Sequence, residues 1–143
     1  MKKIIFSILF LFLVVTNSCK KDKRCDNIPK VFVDLILNLN LPSYSTLGTP
    51  NNWVYINGGN RGIIVYRKSE SEFTATDRIC TYDPDNSTAT LEVQTNNITA
   101  IDKGCGSKFQ ITDGAVTQGP ASCTLVKYRT EYNSANNTLH IYN

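Results

Sequence analysis

From Val31 to Leu41 every odd position is apolar (Val31, Val33, Leu35, Leu37, Leu39, Leu41), while Asp34, Asn38 and Asn40 fall among the even ones. A period of two sends alternate side chains to opposite faces, so this stretch predicts a half-buried β-strand. Stretches rich in β-branched and aromatic residues predict further strands at 53–56, 62–67, 72–79, 89–93, 107–112, 125–132 and 139–142. Turn chemistry lies between them: Pro50-Asn51-Asn52, Asn57-Gly58-Gly59-Asn60, Asp83-Pro84-Asp85-Asn86, Asn96-Asn97, Asp113-Gly114 and Asn133 to Asn137. Asn86, Asn97 and Asn137 stand in or near glycosylation-type sequons, and all three read as turn residues because asparagine tolerates positive φ. No later stretch keeps a helical apolar period for three turns. Short strands at this spacing imply an all-β sandwich or small barrel, one domain over residues 31–143.

The start of the chain has another character. Met1-Lys2-Lys3 precedes a run from Ile4 to Val15 that is apolar apart from Ser7, a basic region and hydrophobic region of secretory-signal length, too short to span a bilayer permanently. The following Thr16-Asn17-Ser18-Cys19 resembles a bacterial lipoprotein signal, which implies that residues 1–18 are removed and that Cys19 is lipidated as the new N-terminus. Lys20-Lys21-Asp22-Lys23-Arg24 is similar to the charged run after the lipid cysteine in Bacteroidetes-type lipoproteins. The expectation is a membrane-anchored protein of the bacterial cell envelope, in the outer membrane, with residues 19–30 linking anchor to domain. Several acyl chains would hold it stably, which the basic run alone would not.

Charge then narrows the partners. The 143 residues carry 15 basic and 12 acidic side chains, but without Lys2 and Lys3 the basic total is 13, and the net charge falls from +3 to +1. No single-sign field remains to attract nucleic acid. The acidic residues are scattered over turns without a pair placed for acid–base catalysis, and no nucleophilic triad is assembled. Gly58-Gly59-Asn60-Arg61-Gly62 reads as a hairpin turn, since no helix follows to make a phosphate cradle. The aromatics, among them Trp53, Tyr55, Tyr66, Tyr128 and Tyr132, read as core and cross-strand pairs. These features point to a non-enzymatic module.

The most specific signal is a pair of loops. Asp77-Arg78-Ile79-Cys80-Thr81-Tyr82 resembles a strand end and first cluster loop of the Rieske iron–sulfur proteins, where the family has Cys-x-His. Cys105-Gly106-Ser107-Lys108-Phe109, then Asp113-Gly114 and Gly119-Pro120-Ala121, are similar to the second loop, its glycine turn and the segment covering the site. Leu125, Tyr128 and Leu139-His140-Ile141 fit the family's closing strands. The resemblance covers residues 77–142 and implies a Rieske-like all-β fold with two protruding loops. A Rieske cluster takes two cysteines and two histidines, whereas this chain has one histidine, His140, in a strand-like stretch near the C-terminus. His140 alternates with apolar neighbours and reads as a surface-facing strand residue.

Anchoring on Gly106-Ser107-x-Phe109 puts Cys80, Tyr82, Asp102 and Cys105 at the four ligand positions. The other register puts Lys108 at a histidine position, where a protonated amine has no lone pair for iron. Phenolate and carboxylate are hard donors, poorly suited to a cluster that favours thiolate and imidazole. The expectation is therefore no cofactor and no metal, with an atypically ligated [2Fe-2S] electron carrier as the alternative and a redox switch at Cys80 and Cys105 as a third reading. Outside the cytoplasm thiols pair, and four cysteines remain once Cys19 is set aside. The family's facing loops imply a Cys80–Cys105 bond, if their Cα atoms come within ~7 Å. It would close about 25 residues and contribute on the order of 3 kcal/mol. Cys25 with Cys123 is then the residual pair, and three connectivities stay open.

Overall fold

The computed structural model describes residue 25 and residues 27–143; the signal-like leader, Cys19 and the charged run after it lie outside the described residues. The fold is all-β, as expected. Among the described residues ten strands run in chain order: β1 (Asp34–Asn38), β2 (Trp53–Ile56), β3 (Ile63–Arg67), β4 (Phe73–Asp77), β5 (Glu92–Val93), β6 (Thr99–Ile101), β7 (Lys108–Gln110), β8 (Val116–Gln118), β9 (Lys127–Asn133) and β10 (Thr138–Tyr142). They form an antiparallel six-stranded sheet ordered β1-β10-β9-β4-β3-β2 and a four-stranded sheet ordered β5-β6-β7-β8. No helix among the described residues is long and apolar enough to cross a membrane.

Strand β3 explains how two cores share one scaffold. Its residues Ile63, Ile64, Val65 and Tyr66 are all buried. Ile63 and Val65 join the core of Leu37, Leu47, Leu139 and Ile141, whereas Ile64 and Tyr66 join that of Leu91, Phe109, Ile111 and Leu125. A strand covered on both faces loses its polar alternation, which is why this segment reads as an unbroken apolar run. The second core seats the small sheet, and with it the loops, against the large one.

The paired stretch of β1 is shorter than the period-two pattern, yet the alternation continues past its ends: Val33, Leu37 and Leu39 are buried while Phe32 and Ile36 are exposed. Leu41 is exposed and leads into a 3-10 helix, Pro42–Gly48, whose Leu47 is buried; a helix of seven residues leaves too little periodicity to be read in advance. Strands β6 and β8, of three residues each, were likewise not expected. The strand expected at 89–93 shrinks to β5 plus a single pairing of Ile79 with Thr90.

Asparagine chemistry makes the turns in two ways. Asn97 and Asn137 take φ of 60° and 54°, as does Asn51 at 64°. Asn86 instead accepts the Thr88 amide on its side-chain oxygen at 3.0 Å. The stretch of 19–30 expected to act as a linker is bound to the domain in its second half, since Cys25 is disulfide-bonded to Cys123 and the Asn60 side-chain amide donates to Pro29 O at 3.1 Å.

Candidate functional site

Two loops and a covering segment converge at the open end of the small sheet. The first loop leaves β4 and returns to β5, its stem closed by Leu91 N donating to Arg78 O and by Cys80 N donating to Ala89 O at 3.0 Å. Its far end is held by Arg61 of the β2–β3 turn, whose guanidinium donates to the carbonyls of Pro84, Asn86 and Ser87 at 3.2, 2.7 and 2.5 Å. The second loop joins β6 to β7. Gly106, at φ 77°, turns it so that Gly106 N donates to Asp102 O at 2.8 Å and Asp102 N to Ser107 O at 3.0 Å.

Residues 119–125 clasp both loops. Thr81 of the first loop donates its hydroxyl to Cys123 O at 2.6 Å, and Ser107 of the second accepts the Ala121 amide at 2.9 Å. The Cys25–Cys123 bond, with Cα atoms 5.6 Å apart, then ties this clasp to the start of the domain. Thr81, Ser107 and Arg61 are the positioning residues that sequence reasoning missed. Their partners lie 14 to 42 positions away, and a lone serine, threonine or arginine carries no local sign of such a contact.

The clasped loops bring Cys80, Asp102 and Cys105 together. The two Sγ atoms are 3.6 Å apart, Cys105 Sγ lies 3.4 Å from Asp102 Oδ2, and the ligand atoms of all three residues fall within 4.8 Å of one another. Gly104 N donates to Asp102 Oδ1 at 2.7 Å and fixes the carboxylate. Burial pushes the Cys80 thiol far above its ordinary 9.0; a hydrogen bond from the Tyr82 backbone opposes this and is outweighed, and Asp102 and Cys105 add to the rise. A cleft of about 340 Å³, walled by Tyr82, Asp83, Asn86 and Pro120, opens over Asp102 and Cys105.

Of the four expected ligand positions, Tyr82 is thus at the rim, 43% exposed, while the other three form the centre. The expected Cys80–Cys105 bond is not formed. Both residues are free thiols, with sulfurs well beyond the ~2.05 Å of a covalent bond, and the disulfide is the residual pair. His140 is far from this chemistry on β10 of the large sheet, half-buried, stacked on Tyr142 and 2.7 Å from Asp34 Oδ1.

No protein-family model matches this sequence, and no curated protein matches it. Among solved structures, the chain is similar to the cyanobacterial plasma membrane Rieske protein PetC3 from Synechocystis PCC 6803, at 21% identity and TM-score 0.49, over 78% of this chain and 98% of that one. It is also similar to a chain in the complex of reduced oxygenase and oxidized ferredoxin in carbazole 1,9a-dioxygenase, at 16% identity and TM-score 0.48, over 80% and 94% of the two chains. The chemistry of the site rests on its own residues.

Those residues do not fit a [2Fe-2S] cluster. A tetrahedral metal with metal–sulfur bonds of about 2.3 Å holds two thiolate sulfurs about 3.8 Å apart. At 3.6 Å, Cys80 and Cys105 are spaced to share one metal atom, as the two cysteines of a Rieske cluster share one iron. Asp102 lies beside the same pair. A second iron would then have no nitrogen or sulfur donor, since the described histidine is in the other sheet and the remaining described cysteines are bonded to each other.

Proposed function

We propose that this protein is a bacterial envelope lipoprotein, anchored through lipid on Cys19, that displays a Rieske-like domain as a non-enzymatic structural or interaction module. The leader, the cysteine at its end and the basic run after it support the anchor. One observation carries the cluster-free reading: two thiols 3.6 Å apart in the loop frame, with no imidazole beside them. The pair is open in this structure, and in an oxidising compartment it can close to a disulfide, losing two protons and two electrons to an oxidised dithiol of an envelope oxidoreductase. Cys105, the half-exposed partner, receives the oxidant, and Cys80, buried, completes the bond. The tie between the tips then replaces the one a cluster would supply.

Intact-mass analysis of the protein as isolated, with thiols alkylated before and after reduction, tests all three parts. The expected result is acyl mass on Cys19, one disulfide that survives mild reductant and a second that does not, and no iron. Stoichiometric iron with acid-labile sulfide would establish the electron carrier instead, and an unacylated Cys19 would remove the anchor.

A further inference from the structure

Two acidic side chains are buried among the described residues, and they are treated differently. Asp77 receives Asn60 N at 2.6 Å, Asn60 Nδ2 at 3.0 Å, Arg61 N at 3.3 Å, Ile79 N at 2.9 Å and the Tyr128 hydroxyl at 2.7 Å. Asp102, only 2% exposed, receives one backbone N–H, from Gly104, and otherwise faces thiols. No described ion pair includes it; Lys103 beside it reaches Glu92 instead. Thiols are weak donors, so Asp102 Oδ2 is a buried carboxylate oxygen without adequate compensation.

We propose that Cys80, Asp102 and Cys105, in the reduced protein, bind one divalent ion of the zinc class, with the fourth coordination position open to the cleft under Tyr82. The proposal deepens the cluster-free reading and rests on it. Two of the three donor separations are those a tetrahedral ion needs, and the third is within 4.8 Å: bonds of about 2.3 Å to sulfur and about 2.0 Å to oxygen give about 3.8 Å between sulfurs and about 3.5 Å between sulfur and oxygen. The observed values are 3.6 Å and 3.4 Å. The mixed donor set selects the ion, since two thiolates are too soft for magnesium or calcium and a carboxylate is too hard for cuprous copper.

The surroundings hold the donors in place. Gly104 N fixes Asp102 Oδ1 and leaves Oδ2 toward the sulfurs. Ser107 places its amide at 3.4 Å and its hydroxyl at 3.0 Å from Cys105 Sγ, where both donate once the thiol proton has left. Binding exchanges the two thiol protons for the ion, leaving two thiolates and one carboxylate around a dication. Metal and Cys80–Cys105 disulfide are therefore alternative states of one pair, which makes the tips responsive to both oxidant and metal.

The test uses the full chain in detergent, stripped by a chelator, kept reduced without oxygen and titrated with Co²⁺. The expected result is one ion per chain, with near-ultraviolet thiolate-to-cobalt charge transfer and the visible bands of a tetrahedral site, both abolished by one equivalent of Zn²⁺. Zn²⁺ should also raise the melting temperature of this protein. Asp102→Asn keeps an oxygen for Gly104 N and should weaken binding at least as much as the ~10- to 100-fold cost of losing an outer partner. Cys105→Ser, which retains Cys25 and Cys123, should lose the charge-transfer band and the zinc-dependent rise in melting temperature. A band that persists in Cys105→Ser, an affinity unchanged in Asp102→Asn, or iron-free reduced protein that gives no band overturns the proposal. Iron and sulfide in the protein as isolated would instead overturn the cluster-free reading beneath it.

Discussion

Asp77 sits fully buried at the end of β4, and the β2–β3 turn is shaped around it. A glycine is needed at the centre of that turn, because Gly59 has φ 62° and a Cβ there would lie 2.5 Å from both Asp77 Oδ2 and the Tyr128 hydroxyl. The turn thus cradles a carboxylate of the chain itself. Burial, followed by the hydrogen bond and charge of Asp77, pushes the Tyr128 hydroxyl well above its ordinary 10.0. The folded state therefore holds this proton more tightly than the unfolded chain does. That contribution to stability is complete below pH ~10 and is lost as pH rises through the folded value. Tyr128→Phe should cost about 1.5–3 kcal/mol at neutral pH, the range for a hydrogen bond to a charged group. In denaturant titrations against pH, the gap between variant and parent should close above pH ~10; a gap that widened there would contradict this account.

At the scale of elements, β1 shows how far a simple alternation reaches. Strand pairing covers five residues, Asp34↔Tyr142 to Asn38↔Thr138, but the inward set of Val33, Leu37 and Leu39 extends beyond it. Adjacent residues on this strand should respond in opposite ways. Leu37→Asn, in the core, should lower stability by roughly 2–5 kcal/mol, as for loss of a large buried side chain. Ile36→Asn, at a position 72% exposed, should stay within ~0.5 kcal/mol and improve solubility, because it removes an apolar side chain from an edge strand. Equal losses at the two positions would mean that the register is wrong. The small sheet was less legible: β6 and β8 have three residues each, shorter than the window in which a period can be recognised, and they exist because Phe109 of β7 packs into the second core and pairs them alongside it.

For the whole molecule, the covalent long-range tie is Cys25–Cys123, its ends 98 positions apart. It fixes the clasp over both loops, and through Thr81 and Ser107 the clasp fixes the thiol pair. Replacing both cysteines with serine should lower stability by about 2–5 kcal/mol. Thermal melts of parent and double variant check this. The loss should also loosen the site, seen as faster alkylation of Cys80 in the folded double variant; unchanged alkylation would mean that the clasp holds without its covalent tie.

The alternation of apolar residues and the placement of turn formers determined the all-β class and most strands, because both act over a few neighbouring residues and are written locally. The resemblance of the two loops to the Rieske family implied four positions for the site, Cys80, Tyr82, Asp102 and Cys105. Only the tertiary structure decided how the cysteines pair, which of the four positions face inward, and that Thr81, Ser107 and Arg61 hold the loops. Each of these depends on the folded distance between groups far apart along the chain, and a linear order of residues does not contain that distance until the two cores have packed.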